Sequence, residues 1–389
     1  MHVLAKKQPR RSAELIERHS GPTQIELARH LGVSQTTVCR VLNGHPSVAP
    51  DMRERVSAAI EELGYTPNLY ARSLVSQSSA TIGVLLTSTS VPTHLLRLTA
   101  LTSRLMEEGW LVVNALTDGT AETETVGLNE FEGRMVDGLV CIQRQHVPDE
   151  MLYRRFVDRG RPVVVYSQDP IPRIRTIANE ISGGIDDAVT HLAELGHRRI
   201  VLLTTESRSA EMHQRDIGFL RGMKRFGLPA TEDQIIRMSI RADRRAGLTP
   251  PDSHEFPAGT EGRDRPQNDF DAGYLGAAEI FERWTESQRP TALVCATDGL
   301  AIGAMRLLRL RGVRVPTQMS VTGFNGLDDT RYCDPPLTTT EVDYPALGRL
   351  GADLLLRDLA SGRTPEAHES HHRVVGHFRV RQSTAPPAP

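Results

Sequence analysis

Apolar residues near the amino terminus recur at helical spacing in two short, adjacent segments. Thr23 and Glu26 have the spacing of a capping box at the start of the first segment. The apolar stripe that follows is formed by Leu27, Ala28 and Leu31. Gly32 is expected to end this helix, and Ser34 can cap a second one. The inward face of the second helix is formed by Val38, Val41 and Leu42. The pattern therefore predicts a helix-turn-helix.

The outward face of the second predicted helix carries side chains that can read DNA bases. This face consists of Gln35, Thr36, Thr37 and Arg40. An amide can pair with adenine, a guanidinium with guanine and a threonine methyl group with thymine, and each good pair discriminates by about 1–3 kcal/mol. A short helix pair with a glycine turn also occurs in purely structural helical cores. The third helix predicted at 51–63 favours the DNA-binding interpretation.

Beyond Ser79 the pattern changes to short apolar strands that alternate with amphipathic helices. Strands are predicted at 81–86, 110–115, 138–142, 162–166, 199–204, 292–296 and 320–324. Helices are predicted at 95–108, 122–135, 149–159, 183–195, 211–226, 270–286 and 300–311. This alternation predicts an α/β protein with two doubly wound lobes, each a parallel sheet covered on both faces. Because ligands of such sheets lie beyond the carboxyl ends of the strands, a pocket is expected between the lobes.

Charge is distributed unevenly along the chain. At 389 residues it is too long for one ordinary core, and its formal net charge is −2. Residues 1–76 hold ten Lys or Arg and seven Asp or Glu, a charge of +3, whereas the remainder holds 36 against 41, a charge of −5. Phosphate neutralisation supplies most non-specific affinity for DNA. A basic amino-terminal unit on an acidic body is the layout expected of a DNA-binding protein.

Other function classes lack their signatures. The chain has no apolar run near the roughly 20 residues of a membrane span and no export signal, so a cytoplasmic, nucleoid-associated protein is expected. Four cysteines lie far apart, which disfavours a zinc cluster or a disulfide framework, and no metal or cofactor is expected. Motifs of an α/β hydrolase, a phosphate-binding loop, a dinucleotide-binding turn and a zinc protease are absent. An enzyme is therefore not predicted.

Two longer motifs resemble the headpiece of LacI/GalR-type transcriptional regulators. They are V-S-x-x-T-V-x-R-V-L-N-G at 33–44 and R-E-R-V-x-x-A-I-E-E-L-G-Y-x-P-N-x-x-A-R-S-L at 53–74. Taken with the pattern above, the expected DNA-binding residues are Thr23, Ser34, Gln35, Thr36, Thr37, Arg40, Asn43, Asn68, Arg72 and Leu74. The segment before the headpiece, 1–22, is an extension that departs from the family.

A short hinge helix is predicted between headpiece and core. Residues 68–74 give only one or two turns, and isolated helices shorter than about 12–15 residues rarely persist in water. This helix should therefore order only on DNA and in a dimer. The resemblance implies that Leu74 of each subunit wedges into the minor groove and bends the DNA, with Asn68 and Arg72 near the backbone. Alternatively, Leu74 closes a small hydrophobic contact within the linker.

Residues 81–385 are similar to the LacI-type core, which is itself similar to periplasmic sugar-binding proteins of type I. The supporting motifs are V-D-G-L around Gly138, H-L-A-E-L-G-H-R-R-I at 191–200, R-x-x-G-F at 215–219 and D-P-P-L-T-T-T at 334–340. The resemblance implies that effector contacts come from Arg215, Phe270, Thr297 and Asn325. Hydroxyls from the opposite wall are expected from Thr87 and Ser88, which could instead cap the next segment.

The predicted pocket departs from the family at several positions. Thr297 stands where asparagine is usual, and Asn325 and Ala178 stand where aspartate is usual. Since a carboxylate is an acceptor-only clamp on sugar hydroxyls, sugar binding does not transfer directly. Phe270 lies two residues closer than usual to the next glycine, and it could belong to the core. Arg215 could instead bond to the backbone or to a neighbouring carboxylate.

The sequence thus predicts four regions. These are an extension at 1–22, a helix-turn-helix domain at 23–66, a hinge and linker at 67–80, and an effector-binding and dimerisation core at 81–385. Lobe 1 is expected at 81–177 and 342–362, and lobe 2 at 178–341 and 363–385, with a mobile insertion at 241–267 that is poor in apolar residues.

The predicted function is that of a homodimeric repressor. It should bind a near-palindromic operator, with an affinity controlled by a small, carbohydrate-like effector in the cleft. The alternatives are a transcriptional activator and a two-lobed small-molecule receptor of the same architecture. A receptor should carry an export signal and no basic helical headpiece.

Overall fold

The computed structural model describes residues 22–42, 45–65, 78–87, 91–117, 120–142, 150–206, 210–239, 268–362 and 370–388. The chain divides into two compact units, Met1–Ser79 and Ala80–Pro389. Three predicted features lie outside the described residues: the extension up to residue 21, the hinge helix at 68–74 and the insertion at 241–267.

The amino-terminal unit is a three-helix bundle. Its helices are α1 (Gln24–Leu31), α2 (Gln35–Leu42) and α3 (Pro50–Leu63). Its core consists of Leu27, Ala28, Val38, Val56, Ala59 and Tyr65. Gly32 ends α1 with a φ of 66°, a left-handed conformation that glycine adopts without steric cost. The predicted helix-turn-helix, including its glycine turn, is confirmed.

The first lobe of the second unit contains a parallel sheet with helices on both faces. Its elements are β1 (Thr81–Leu86), α4 (Pro92–Glu107), β2 (Leu111–Leu116), α5 (Ala121–Gly133), β3 (Gly138–Ile142), α6 (Glu150–Asp158), β4 (Val163–Tyr166), β5 (Arg175–Glu180), α11 (Tyr344–Ser361) and β11 (His371–Val375). The strand order is β11-β5-β4-β3-β1-β2, and every pair is parallel. The buried strands β3 and β4 are continuously apolar, as expected for a sheet covered on both faces.

The second lobe repeats this plan. Its elements are α7 (Ile181–Glu194), β6 (Ile200–Thr205), α8 (Ala210–Arg225), β7 (Ile235–Met238), α9 (Asp269–Arg283), β8 (Ala292–Cys295), α10 (Asp298–Leu310), β9 (Ser320–Asn325), β10 (Thr338–Glu341) and β12 (His377–Arg379). Short 3-10 helices lie at Glu232–Gln234, Glu286–Gln288 and Asp328–Arg331. The strand order is β12-β10-β9-β8-β6-β7, with β12 antiparallel to β10. Two doubly wound lobes, as predicted, are therefore confirmed.

The chain passes between the lobes three times. It does so from β5 to α7, from β10 to α11 and from β11 to β12. Residues 363–385 were expected in the second lobe, and this is wrong for β11, which pairs with β5 in the first sheet. Without β11, strand β5 would be an edge of the first sheet with unpaired backbone groups. The chain that returns from α11 pairs with these groups as β11 and then enters the second lobe as β12.

No helix in the described part of the chain combines the length and the hydrophobicity that a membrane span requires. Within the same described residues, no group of three or more His, Cys, Asp or Glu side chains could hold a metal ion.

A buried ion pair fixes the carboxyl-terminal helix of the first lobe to its sheet. Arg175 on β5 donates from Nε to Oδ2 of Asp358 at 3.0 Å and from Nη2 to Oδ1 at 2.8 Å. The two side chains are 5% and 3% exposed. Because both charges are removed from water, each depends strongly on the hydrogen bonds that the other supplies.

Asp358→Ala should therefore lower the free energy of unfolding by about 3–5 kcal/mol, because it removes two charge-assisted hydrogen bonds from a buried guanidinium. Asp353→Ala provides the control, since Asp353 is half exposed and pairs with Arg104 at 2.8 Å. That surface change should cost no more than about 1 kcal/mol. Urea unfolding of both full-length variants measures the difference, and equal losses would contradict the role given to Asp358.

Candidate DNA-binding helix and effector cleft

The first turn of α2 is fixed by its own side chains. Ser34 Oγ accepts a hydrogen bond from the Thr37 backbone N–H at 3.1 Å and lies 2.8 Å from Thr37 Oγ1. Gln35 Nε2 donates to Gln24 Oε1 at 3.3 Å, which connects α2 to α1. Two of the expected DNA-binding residues, Ser34 and Thr37, thus form the cap of the helix they belong to.

Thr36 and Arg40 point away from the bundle core. Both are exposed, and within the described residues Arg40 makes no ion pair. Together with Gln35 they give α2 an amide, a hydroxyl with its methyl group and a guanidinium on its outer face. These groups are chemically suited to base edges in a major groove, which is wide enough to admit an α-helix.

Thr23 has a structural role at the start of α1. Its side chain accepts from the Glu26 N–H, and its own backbone N–H donates to Glu26 Oε2 at 2.6 Å. The hydrogen bonds from the Thr23 backbone and side chain lower the pKa of the Glu26 carboxyl. The predicted capping box is present, and the exposed end of α1 is thereby ordered.

Two arginines of α3 hold the segments around α2. Arg53 donates from Nη2 to the His45 carbonyl at 2.6 Å and from Nε to the Val48 carbonyl at 3.2 Å. Arg55 Nη2 reaches the Leu31 carbonyl at 3.3 Å. Neither residue is predicted from the sequence, because nothing in the pattern distinguishes an arginine bound to a loop carbonyl from one facing DNA.

Several expected site residues lie outside the described part of the chain. They are Asn43, Asn68, Arg72 and Leu74 of the DNA-binding set and Ser88 of the effector set.

The remaining effector residues lie at the ends of strands or in the helices that follow them. Thr87 directly follows β1 in the first lobe, while Asn325 ends β9 in the second. Thr87 Oγ1 is buried and has no hydrogen-bond partner in the described structure. Arg215, on α8, is 6% exposed, whereas Phe270, in the first turn of α9, is 49% exposed. This layout agrees with a cleft lined from both lobes.

Thr297 caps α10. Its hydroxyl donates to Asp269 Oδ2 at 2.8 Å and accepts from the Leu300 N–H at 3.2 Å. Asp269 directly precedes Phe270, so this hydrogen bond brings two of the expected residues together. Because its proton is already donated, the hydroxyl offers a ligand only its remaining acceptor capacity.

Asn325 is held by a residue of the other lobe. Its Oδ1 accepts from the Tyr344 hydroxyl at 2.7 Å, and its φ of 120° is one that L residues rarely adopt. Tyr344 begins α11 in the first lobe. Tyr344 is not among the residues predicted from the sequence, because no spacing in the chain indicates that an aromatic residue at a helix start contacts both lobes.

A buried carboxyl stabilises the edge of the second sheet. Asp298, in the first turn of α10, accepts from Thr339 Oγ1 at 2.5 Å and from the Leu327 N–H at 2.8 Å. Burial raises its pKa to about 7, and the two hydrogen bonds oppose that shift. This residue orders the loop that follows β9, directly after Asn325 at the end of that strand.

Comparisons with known proteins agree with both units. Residues 25–68 match the family described as "Bacterial regulatory proteins, lacI family", and residues 189–384 match the "Periplasmic binding protein-like domain". The HTH-type transcriptional repressor PurR of Yersinia pestis (strain Pestoides F) is 29% identical over 356 residues, which cover 90% of this chain and 94% of the relative. PurR of Yersinia pseudotuberculosis serotype O:1b (strain IP 31758) gives the same values.

Solved structures show the same architecture. The Lac repressor bound to ONPG in the repressed state is 25% identical, covers 94% of this chain and 100% of its own, and has a TM-score of 0.75. The transcriptional regulator CelR in complex with cellobiose is 23% identical, covers 93% and 99% respectively, and has a TM-score of 0.63, which supports the fold.

The family matches cover the helical headpiece and more than half of the two-lobed core. The expected resemblance is therefore confirmed. The chain belongs to the lacI family of bacterial regulatory proteins, and it is a DNA-binding transcriptional regulator with an effector-binding core rather than an enzyme.

Proposed function

We propose that this protein is a homodimeric repressor that binds a near-palindromic operator and responds to a small polar effector held between its lobes. The observation that carries the proposal is the exposed face of α2, which presents Gln35, Thr36 and Arg40 to solvent. The helix that bears them is capped by Ser34 and packs on the bundle core through its opposite face. By this proposal the protein acts in the cytoplasm, on the nucleoid. The relatives named PurR are transcriptional repressors, which supports repression over activation.

Dimerisation is supported by an apolar surface on the first lobe. Strand β2 is the edge of its sheet and exposes Leu111 and Leu116, at 56% and 62%. Helix α4, which precedes β2 in the chain, exposes Leu95 and Leu96, each at 40%. Exposed apolar residues on an edge strand favour association with a second copy. Two copies related by a two-fold axis would present two α2 helices to two operator half-sites.

The hinge belongs to this proposal on the strength of the sequence. Asn68, Arg72 and Leu74 are proposed to contact DNA when the two connectors order in the dimer. Leu74 would enter the minor groove, where apolar wedges unstack base steps and bend the duplex.

Effector control is supported by polar groups that converge from both lobes. The Tyr344 hydroxyl in lobe 1 and the Asn325 amide in lobe 2 form a direct hydrogen bond across the cleft. A ligand that competes for either group changes the balance between open and closed arrangements of the lobes. Coupling free energies of about 1–3 kcal/mol are typical of such devices and change operator affinity about 5- to 150-fold. Sugars occupy solved structures of similar fold, named as complexes with cellobiose and ribose.

DNA recognition is tested by Arg40→Ala. Operators are first selected from a randomised duplex library with the full-length protein. Because a guanidinium pair with guanine discriminates by about 1–3 kcal/mol, the variant should lose about 5- to 150-fold in its affinity ratio for selected over random DNA.

Arg29→Ala is the matched control, since it removes another exposed cation from the same bundle but lies on α1. It should weaken all duplexes alike and leave the ratio intact. An unchanged ratio for Arg40→Ala would show that α2 does not read bases through this residue.

The dimer surface is tested by Leu116→Asp, which places a charge on the apolar edge of β2. Sedimentation velocity of the variant should show a shift from dimer to monomer at micromolar concentration. Val126→Asp is the control, because Val126 on α5 is equally exposed at 62%. A dimer that tolerates Leu116→Asp as well as Val126→Asp would exclude this surface.

Coupling between the lobes is tested by Tyr344→Phe, which removes the hydroxyl and keeps the ring. Because a hydrogen bond contributes about 0.5–1.5 kcal/mol, the effector-induced change in operator affinity should shift about 2- to 12-fold. Thr176→Val is the control, since it removes a buried hydroxyl that donates to the Ser370 carbonyl near the amino end of β5, at the opposite edge of the first sheet. Fluorescence anisotropy titrations with and without effector measure both, and identical responses would rule out the proposed bridge.

A further inference from the structure

A buried arginine in the first lobe lies beside two tyrosine rings without an acid to neutralise it. Arg97, in the second turn of α4, is 5% exposed. Its guanidinium carbon lies 4.9 Å from the ring centroid of Tyr344 and 5.5 Å from that of Tyr166. Among the described residues no carboxylate pairs with Arg97, and no acceptor meets its buried Nε atom.

Two aromatic rings do not satisfy this group. Their negatively polarised faces attract the cation, but a guanidinium also has five N–H donors that lie in its own plane. Burial removes water from the Nε atom, whose N–H meets no acceptor among the described residues, and a buried charge without a carboxylate partner is unfavourable. The site is therefore predisposed to bind an anion.

The position of the two rings places the guanidinium at the cleft. Tyr166 is the last residue of β4, so it lies at the carboxyl-end edge of the first sheet. Tyr344 begins α11 and reaches Asn325, which ends β9 in the second lobe. Ligands of parallel α/β sheets bind at this edge. Arg97 thus lies in the wall that the first lobe contributes to the cleft.

Charges on the facing lobe favour the same kind of ligand. Arg215, which is on α8 and 6% exposed, adds a second cation to that lobe. Thr297 and Asn325 are neutral. Two acids of this lobe have structural partners: Asp269 accepts from Thr297, and Asp298 accepts from a threonine hydroxyl and a backbone N–H.

We infer that the effector is anionic: a hydroxylated metabolite whose carboxylate or phosphate group is bound by Arg97. Both groups accept two parallel hydrogen bonds from the guanidinium fork. The sugar-like part of the ligand would meet the neutral hydroxyl and amide groups of the second lobe. This inference rests on the proposed effector role of the cleft.

Isothermal titration of the full-length protein tests it with sets of probes that share one carbon skeleton. The sets are glucose with glucuronate and glucose 6-phosphate, galactose with galacturonate, and ribose with ribose 5-phosphate, with acetate and inorganic phosphate as isolated anions. At least one acid should bind about tenfold or more tightly than its neutral parent, because charge-assisted hydrogen bonds are the strong ones. Comparison of the uronates with the phosphates identifies the anionic group.

Arg97→Gln should lower affinity for that acid at least about tenfold and change the affinity of the neutral parent less than about twofold. Arg289→Gln is the matched control. Arg289 also lies over an aromatic ring, that of Phe281 at 4.4 Å, and its buried Nε has no acceptor among the described residues. However, it precedes β8 and so lies at the amino-end edge of the second sheet, away from the proposed cleft. Its replacement should leave acid binding intact.

Arg97→Lys keeps the positive charge but removes the planar pair of guanidinium donors. This variant also tests the inference if Arg97→Gln does not fold. It should retain thermal stability and still lose several-fold in acid affinity. Equal binding of acid and parent, full acid affinity in the Arg97 variants, or no binding of any acid would each overturn the inference. Duplex selection on the same preparations tests the proposed function separately, since a chain that selects an operator but ignores every acid contradicts the inference alone.

Discussion

The three passages of the chain between the lobes hold the two sheets together at the edge where their parallel strands end, and the proposed effector cleft depends on this constraint. Ion pairs join the passages. Glu180, at the end of β5, pairs with Arg373 on β11 at 3.0 Å, and Glu341, at the end of β10, pairs with Arg381 at 2.6 Å. Each pair connects residues that are close to different passages. A change in lobe closure must therefore act on all three passages together, which is how one ligand can move a whole lobe.

The same constraint explains why residues expected to contact ligand also have structural roles. Thr297 caps α10, and Asn325 accepts a hydrogen bond from Tyr344. Helix starts and strand ends meet at this edge, so the polar groups that satisfy the unpaired N–H groups of helices are also the groups nearest to the proposed ligand site. In the proposed cleft, the side chains expected to recognise the effector therefore also stabilise the fold. Arg97 differs, because the described residues leave its charge uncompensated.

The amino-terminal bundle shows how a small unit orients α2, the helix proposed to recognise DNA bases. Its core has six buried residues, so α2 depends on local hydrogen bonds as well as on packing. Ser34 and Thr37 fix its first turn, while Arg53 and Arg55 bind carbonyls of the neighbouring segments. The exposed face of α2 is thereby presented on an ordered backbone. Side chains held on a rigid scaffold lose less conformational entropy when they bind a base.

Local patterns in the sequence determined the helix-turn-helix, its glycine turn, its capping box and the alternation of strands with helices. These features depend on residues within a few positions of one another, so spacing reveals them. The sequence did not indicate the short strands β5, β7, β10, β11 and β12, which gain their hydrogen bonds from residues far away in the chain. Tertiary structure alone decided that β11 joins the first sheet, that Tyr344 reaches Asn325 and that Arg97 lies beside two tyrosines. Such contacts join residues up to hundreds of positions apart, and only the folded chain brings them within hydrogen-bonding or stacking distance.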